Sequence, residues 1–324
     1  MIAVLLLLCN NALAIDIVAT LPYLGSIAHE VAPTAKITTL ARGSEDPHFL
    51  SPTPALMAKV GAADVYIETG MGLELWSERV LDGAGNPKIR VGQPGYVKAT
   101  DNVPRLDVPV NLSRAQGDMH PEGNPHVWLD PLNAPIVADN IAAGLGRVDP
   151  ANAATYTANA KAFRAKIDER LFGKELVAFM GGDLLERLER GGKLAPFLES
   201  KGLTPKLGGW LKDGAALRGK PVVFYHQSWS YFIARFGVDT VGYIEDRPGI
   251  APSASHRDEL AAAMKARGCT TIVIESFYDD RLAHVMAEQV GATVDVVPGN
   301  VEGVPAATDY FSFMDTLVHE IATP

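Results

Sequence analysis

Cysteine is almost missing from this sequence. Two occur in 324 residues, at positions 9 and 269. Cys9 sits in a short leading apolar run, and once that run is removed Cys269 stands alone, so no intrachain disulfide can brace the fold. An exported chain of this kind must be held by its core rather than by covalent staples. Local metal and redox motifs are missing too, for there is neither a Cys-x-x-Cys pair nor a His-Glu-x-x-His stretch. Basic runs are lacking, and with a formal net charge of -9 the chain offers no phosphate footprint to a nucleic acid. No apolar run approaches the roughly 20 residues of a membrane-spanning helix.

What remains is ordinary in bulk and informative in detail. With 47% hydrophobic and 21% charged residues the composition is that of a globular chain, and its length suits two domains. Residues 2–9 are apolar, and Ala12-Leu13-Ala14 then fits the small-x-small pattern of signal-peptidase cleavage, although the usual preceding basic residues are absent. Residues 1–14 are therefore read as an export signal to the periplasm. Leu8 stands before Cys9 where a lipoprotein acceptor would have a small residue, which argues against a lipid anchor.

From Ile15 strands alternate with helices. Residues 16–21, 36–41 and 64–68 read as buried strands, and Ser51-Pro-Thr-Pro54 opens a helix, with proline in the first turn and Ser or Thr as a cap. The second half repeats the scheme, with strands at 221–225, 240–244 and 270–275 and a Ser253-capped helix running to Ala266. Such alternation predicts an α/β protein with two similar parallel-sheet lobes. The unit occurs only twice, which excludes a solenoid. Residues 151 to about 171 carry Tyr156, Ala160, Phe163 and Ile167 at helical spacing without glycine or proline, and predict a long interlobe helix. The expected division is a lobe at 15–150, the helix region at 151–190 and a second lobe at 191–324. Residues 173–219, broken by three Gly-Gly pairs, give no clear pattern.

Of eight histidines, three occupy the positions where open α/β sheets bind ligands. His48, His126 and His226 each end a strand or sit in a loop leading into a helix. His126 lies in Gly123-Asn-Pro-His-Val-Trp-Leu-Asp-Pro131, a stretch stiffened by its prolines. His29, His284 and His319 fall within helices and read as solvated; His256 falls in a helix first turn; His120 sits in the polar loop of residues 116–123, where it could assist metal capture but reads as a solvated loop residue. A metal held by three imidazoles needs one more donor, and Asp309 before the last helix is the candidate, though it would also make a good N-cap.

Four segments resemble the zinc/manganese class of periplasmic solute-binding proteins of ABC transporters. They are Asp46-Pro-His48-Phe-Leu-Ser-Pro-Thr-Pro54, Asn124-Pro-His126-Val-Trp-Leu-Asp-Pro131, Val223-Phe-Tyr-His226 and the Asp309-Tyr310 segment. They follow the family's order, and the long helix matches its interlobe helix. The resemblance implies a metal site in the cleft made by His48, His126, His226 and Asp309, with no catalysis. It also implies a monomer that hands a divalent metal to an inner-membrane permease. Three imidazoles and a carboxylate suit Zn²⁺. Mn²⁺ prefers more oxygen donors, and in this family it usually meets a glutamate where His226 stands. The chain departs from the zinc receptors in its loop before the second ligand, which holds only His120, and in the length of residues 173–219. Two rival readings are a zinc hydrolase with an open fourth position and a two-lobed receptor for an organic iron or corrinoid ligand.

Overall fold

The computed structural model describes residues 15–110, 120–247 and 249–323, so the export signal expected at residues 1–14 lies outside them. In the first lobe the elements are β1 (Asp16–Ala19), α1 (Pro22–Val31), β2 (Lys36–Thr39), α2 (Pro54–Gly61), β3 (Val65–Glu68), α3 (Ser77–Ala84) and β4 (Tyr96–Lys98). The strands pair in parallel in the order β2-β1-β3-β4, with Ile17 beside both Ile37 and Val65, and Tyr66 beside Tyr96. Parallel neighbours need crossover helices, which cover the sheet faces and explain why β1 and β3 read as unbroken apolar runs. The Ser51–Pro54 signal does what the sequence suggests: Thr53 caps α2 by accepting from the Leu56 amide, with Pro54 in the first turn.

The second lobe repeats this plan. It holds β5 (Pro221–Phe224), α10 (Ser230–Phe236), β6 (Asp239–Tyr243), α11 (Ala254–Arg267), β7 (Thr271–Glu275), α12 (Arg281–Val290) and β8 (Thr293–Val297), with parallel order β6-β5-β7-β8. Ser253 caps α11 through the His256 amide. Each sheet thus carries one more strand than the sequence pattern suggests. β4 is only three residues long, and β8 alternates as Thr-Val-Asp-Val-Val with a mostly unburied face, so neither stands out as a buried apolar run.

Between the sheets run α4 (Ala134–Val148) and α5 (Ala153–Phe172), the long helix expected from the apolar spacing. Tyr156, Ala160, Phe163, Ile167 and Leu171 form its buried stripe. The last helix, α13 (Tyr310–Ala322), packs beside it, and Arg170 and Asp315 meet at 2.8 Å. One continuous core takes in Ile17 and Leu24 from the first lobe, Phe163 of α5, Phe224 of the second lobe and Phe313 of α13. The lobes share their interior. No helix among the described residues is long and apolar enough to cross a membrane.

Residues 173–219 resolve into short helices folded onto α5: α6 (Lys174–Met180), α7 (Gly182–Arg190), α8 (Leu194–Ser200) and α9 (Gly209–Asp213). Gly173 and Gly181, at φ +86° and +81°, make the breaks that hid this helical content from periodicity. A Cβ at Gly182 would collide with the Asp168 carboxylate, so α7 starts in close contact with α5. Asp168 is buried, its Oδ1 has no hydrogen-bond partner, and burial followed by the charge of Glu186 pushes its pKa up to about 7. A carboxyl with a raised folded pKa stabilises the fold while protonated and loses that contribution as pH rises through the folded value. Asp168→Asn, which mimics the protonated acid, is therefore expected to raise Tm by a few degrees at pH 8.5 and to change it little at pH 5.5. Thermal unfolding at the two pH values checks this. Equal shifts at both would show that the raised Asp168 pKa is not the cause.

Candidate metal centre

Three loops deliver imidazoles to one point at the carboxyl ends of the two sheets. His48 rides the loop between β2 and α2, His226 lies two residues past the end of β5, and His126 precedes a single 3₁₀ turn at Val127–Leu129. His126 and His226 are 4% and 5% exposed, and His48 is half-buried. Ring centroids lie 5.3 Å apart for His48 and His126, 5.5 Å for His48 and His226, and 6.0 Å for His126 and His226. Each ring offers one nitrogen, and the three nitrogens fall within 4.8 Å of one another.

The sequence builds two of these positions with the same local device. Asp46-Pro-His48 and Asn124-Pro-His126 share an Asx-Pro-His pattern. In each, one side-chain oxygen accepts from both the histidine amide and its ring Nδ1. The distances are 3.0 and 2.7 Å at Asp46 Oδ1, and 3.1 and 2.9 Å at Asn124 Oδ1. His226 Nδ1 meets Glu245 Oε2 at 2.6 Å. An Nδ1–H held by an oxygen fixes the tautomer and leaves Nε2 with a bare lone pair, the state a metal requires. His48 Nε2 is buried with no hydrogen-bond partner, an arrangement a cation would satisfy. The donors fit a transition metal.

Electrostatics separate the rings. Burial, then the positive potential of His48 and His226, holds His126 well below its ordinary pKa, so it stays neutral. Burial also works against charging His226, but the Glu245 hydrogen bond and the charges of Glu275, Glu245 and Asp46 outweigh it and raise its pKa. Asp46 is lowered although burial opposes this, because His48 bonds to it. Beneath His226, buried Glu275 accepts from Ser228 Oγ at 2.7 Å and Trp229 Nε1 at 3.0 Å, and burial pushes it up to about 7. The loop carrying His126 is clamped from both lobes. Trp128 stacks on Tyr23 at 4.8 Å, donates to the Gly299 carbonyl at 3.0 Å, and its own carbonyl accepts from Tyr310 Oη at 2.8 Å.

Asp309 does not join the histidines. Its carboxylate caps α13 instead, accepting from the Ser312 amide at 2.8 Å and Ser312 Oγ at 3.0 Å, and the residue is exposed. The capping role weighed for it in the sequence is the one it performs. His120 differs from expectation in the opposite sense: it is half-buried and stacks on His48 at 5.4 Å between centroids. His29, His284 and His319 are exposed on helices, and His256 bonds the Tyr243 carbonyl at 2.8 Å. Sequence reasoning missed the oxygens behind the rings. The repeated Asx-Pro-His pattern could have revealed two of them; Glu245, 19 residues from its histidine, had no local signal.

A family profile described as zinc-uptake complex component A, periplasmic, matches residues 17–170 and 205–323. The chain belongs to the zinc-uptake component A family. The family is one of periplasmic zinc-uptake components, within the zinc/manganese class of solute-binding proteins. The gap in the component A match, residues 171–204, covers most of the extra helices after α5. Two relatives illustrate the range. The high-affinity zinc uptake system protein ZnuA of Brucella abortus is 28% identical over 172 residues, 53% of this chain and 41% of that protein. The iron-binding protein YfeA of Yersinia pestis is 30% identical over 159 residues, 49% of this chain and 47% of that protein. The matched region thus spans less than half the length of either relative. A crystal structure of ZnuA shares the fold, with TM-score 0.69 and 21% identity over 95% of this chain and 98% of that one.

Proposed function

We propose that this component A protein is the zinc receptor of an uptake system, exported to the periplasm, which captures Zn²⁺ on His48, His126 and His226 and passes it to an ABC-transporter permease. The observation that carries the reading is the set of three imidazoles whose nitrogens lie within 4.8 Å, with no carboxylate in the same group among the described residues. Neutral imidazole suits zinc, copper and nickel, while manganese favours carboxylate and water oxygens. The carboxylates nearby, Asp46 and Glu245, face the Nδ1 side of the rings and act as their hydrogen-bond partners. A hydrolase could also use three histidines, and the family's binding role favours the receptor.

Zinc affinity is expected to depend on pH through His226. Its raised pKa means that acid protonates it, and the imidazolium then pairs with Glu245. The metal-free fold gains from that pair on the acid side and loses it as pH rises, whereas zinc requires the neutral ring. His126, held low, adds no proton competition in the same window. Below the His226 pKa the affinity should fall about tenfold per pH unit, one proton's worth. Calorimetric titration with Zn²⁺ from pH 7.5 to 5, in buffers of different ionisation enthalpy, measures this together with the stoichiometry. One zinc per chain with such a fall supports the receptor and its ligand set; an affinity unchanged across the window contradicts the ligand set.

A further inference from the structure

His120 belongs to the same place in the molecule as the three histidines, but it stands one step outside their group. Its ring stacks on His48 at 5.4 Å and meets His126 edge-on at 6.1 Å. Its Nδ1 lies 3.2 Å from the Gly72 carbonyl, at a turn where Gly72 takes φ +77°. A carbonyl can only accept, so Nδ1 carries the proton and Nε2 is left bare. That Nε2 is buried and has no hydrogen-bond partner, as is the Nε2 of His48 beside it. The arrangement repeats what Asp46, Asn124 and Glu245 do for the other rings: an oxygen holds Nδ1, and Nε2 is free to ligate.

Burying two unpartnered imidazole nitrogens side by side is unfavourable unless something satisfies them both. A bound cation would. Zinc takes four ligands in closed sites, the three-histidine group supplies three, and Asp309 is engaged at the cap of α13. We propose that His120 is the fourth zinc ligand, drawn in from its place on His48 when the metal arrives, so that the loaded site is an all-imidazole shell. This rests on the receptor reading above. The segment that carries the ring is anchored on its far side, where the Gly123 amide donates to the His120 carbonyl at 3.1 Å and Glu122 pairs with Lys98 at 2.7 Å. These contacts keep the His120 ring beside His48 and His126, at 5.4 and 6.1 Å between centroids, separations close to those within the three-histidine group. A shell without a carboxylate also discriminates: it favours zinc over manganese more strongly than the three-histidine, one-carboxylate site that the sequence resemblance implies.

X-ray absorption at the zinc edge of the loaded full-length protein counts imidazole ligands directly and needs no variant. Four imidazoles in the wild type, falling to three in His120→Ala with zinc affinity lowered by at least the roughly tenfold that even an outer partner costs, is the expected result. Three imidazoles in the wild type overturn the fourth-ligand assignment while leaving the receptor reading intact. A wild type that takes up no zinc at all overturns the receptor reading itself. Thermal unfolding of metal-free His120→Ala separates a lost ligand from a lost fold, and a variant unchanged in stability, affinity and imidazole count also rejects the assignment.

Discussion

His126→Ala is expected to come off purification without zinc, and the wild type with one ion per chain. Structural zinc is held by about 10–16 kcal/mol over four ligands, so one imidazole contributes roughly 2.5–4 kcal/mol, and its loss should weaken binding between about 60- and 1000-fold. His126 is the ring where that loss should be cleanest. It is 4% exposed, its Nδ1 is already tied to Asn124, and burial keeps it neutral, so it reaches the metal without a proton to displace. The loop around it has other anchors, including the Trp128–Gly299 and Tyr310–Trp128 hydrogen bonds, and should survive the substitution. Elemental analysis of tag-free protein, with the melting curve of the metal-free form as control, decides the matter. Full zinc occupancy in a folded variant would return His126 to the role of a buried polar residue and leave the ligand set without its centre.

The features that located this site in the sequence were those encoded locally. Alternating apolar runs announced the strands, and prolines beside histidines announced rigid loop ends, because backbone preference acts over two or three residues. Convergence of the three histidines was legible only through the rule that ligands gather at the carboxyl ends of parallel strands. What escaped was set at long range or by weak pattern. β4 is short, β8 alternates at a sheet edge, and the helices of residues 173–219 are chopped by glycines that each serve a break. Asp309 was ambiguous by nature, since the same residue before a helix can ligate or cap, and the Ser312 hydroxyl and amide three residues on resolve it as a cap. His120 was undervalued because its partners, the Gly72 carbonyl and the His48 ring, lie 48 and 72 residues away in sequence.

Asp130→Ala is expected to be among the most destabilising single changes in the chain. Asp130 follows the His126 turn, and the sequence suggests only turn punctuation before Pro131. In the fold it reaches across to α10 and takes Arg235 in a two-pronged ion pair, with Oδ1 to Nε and Oδ2 to an Nη at 2.8 Å each. Both side chains are 9% exposed. Removing one partner of such a pair leaves an uncompensated buried charge and costs about 3–5 kcal/mol, a fall in Tm on the order of 10 °C for a domain of this size. Glu189 also holds Arg235, at 2.7 Å, and moderates the loss. Because the pair ties the histidine-bearing loop of one lobe to a helix of the other, the same change should loosen zinc binding, and added zinc should recover part of the stability by mass action. The triple variant Asp130→Ala, Arg235→Met and Glu189→Gln, which strands no charge, separates the causes. Stability regained in the triple variant identifies the stranded charge as the source of the loss. If the single and triple variants fall equally, the loss lies in the geometry of the 126–130 loop. A single-variant cost below about 1 kcal/mol would mean that Glu189 alone suffices and that the lobes are joined by their shared core, not by this pair.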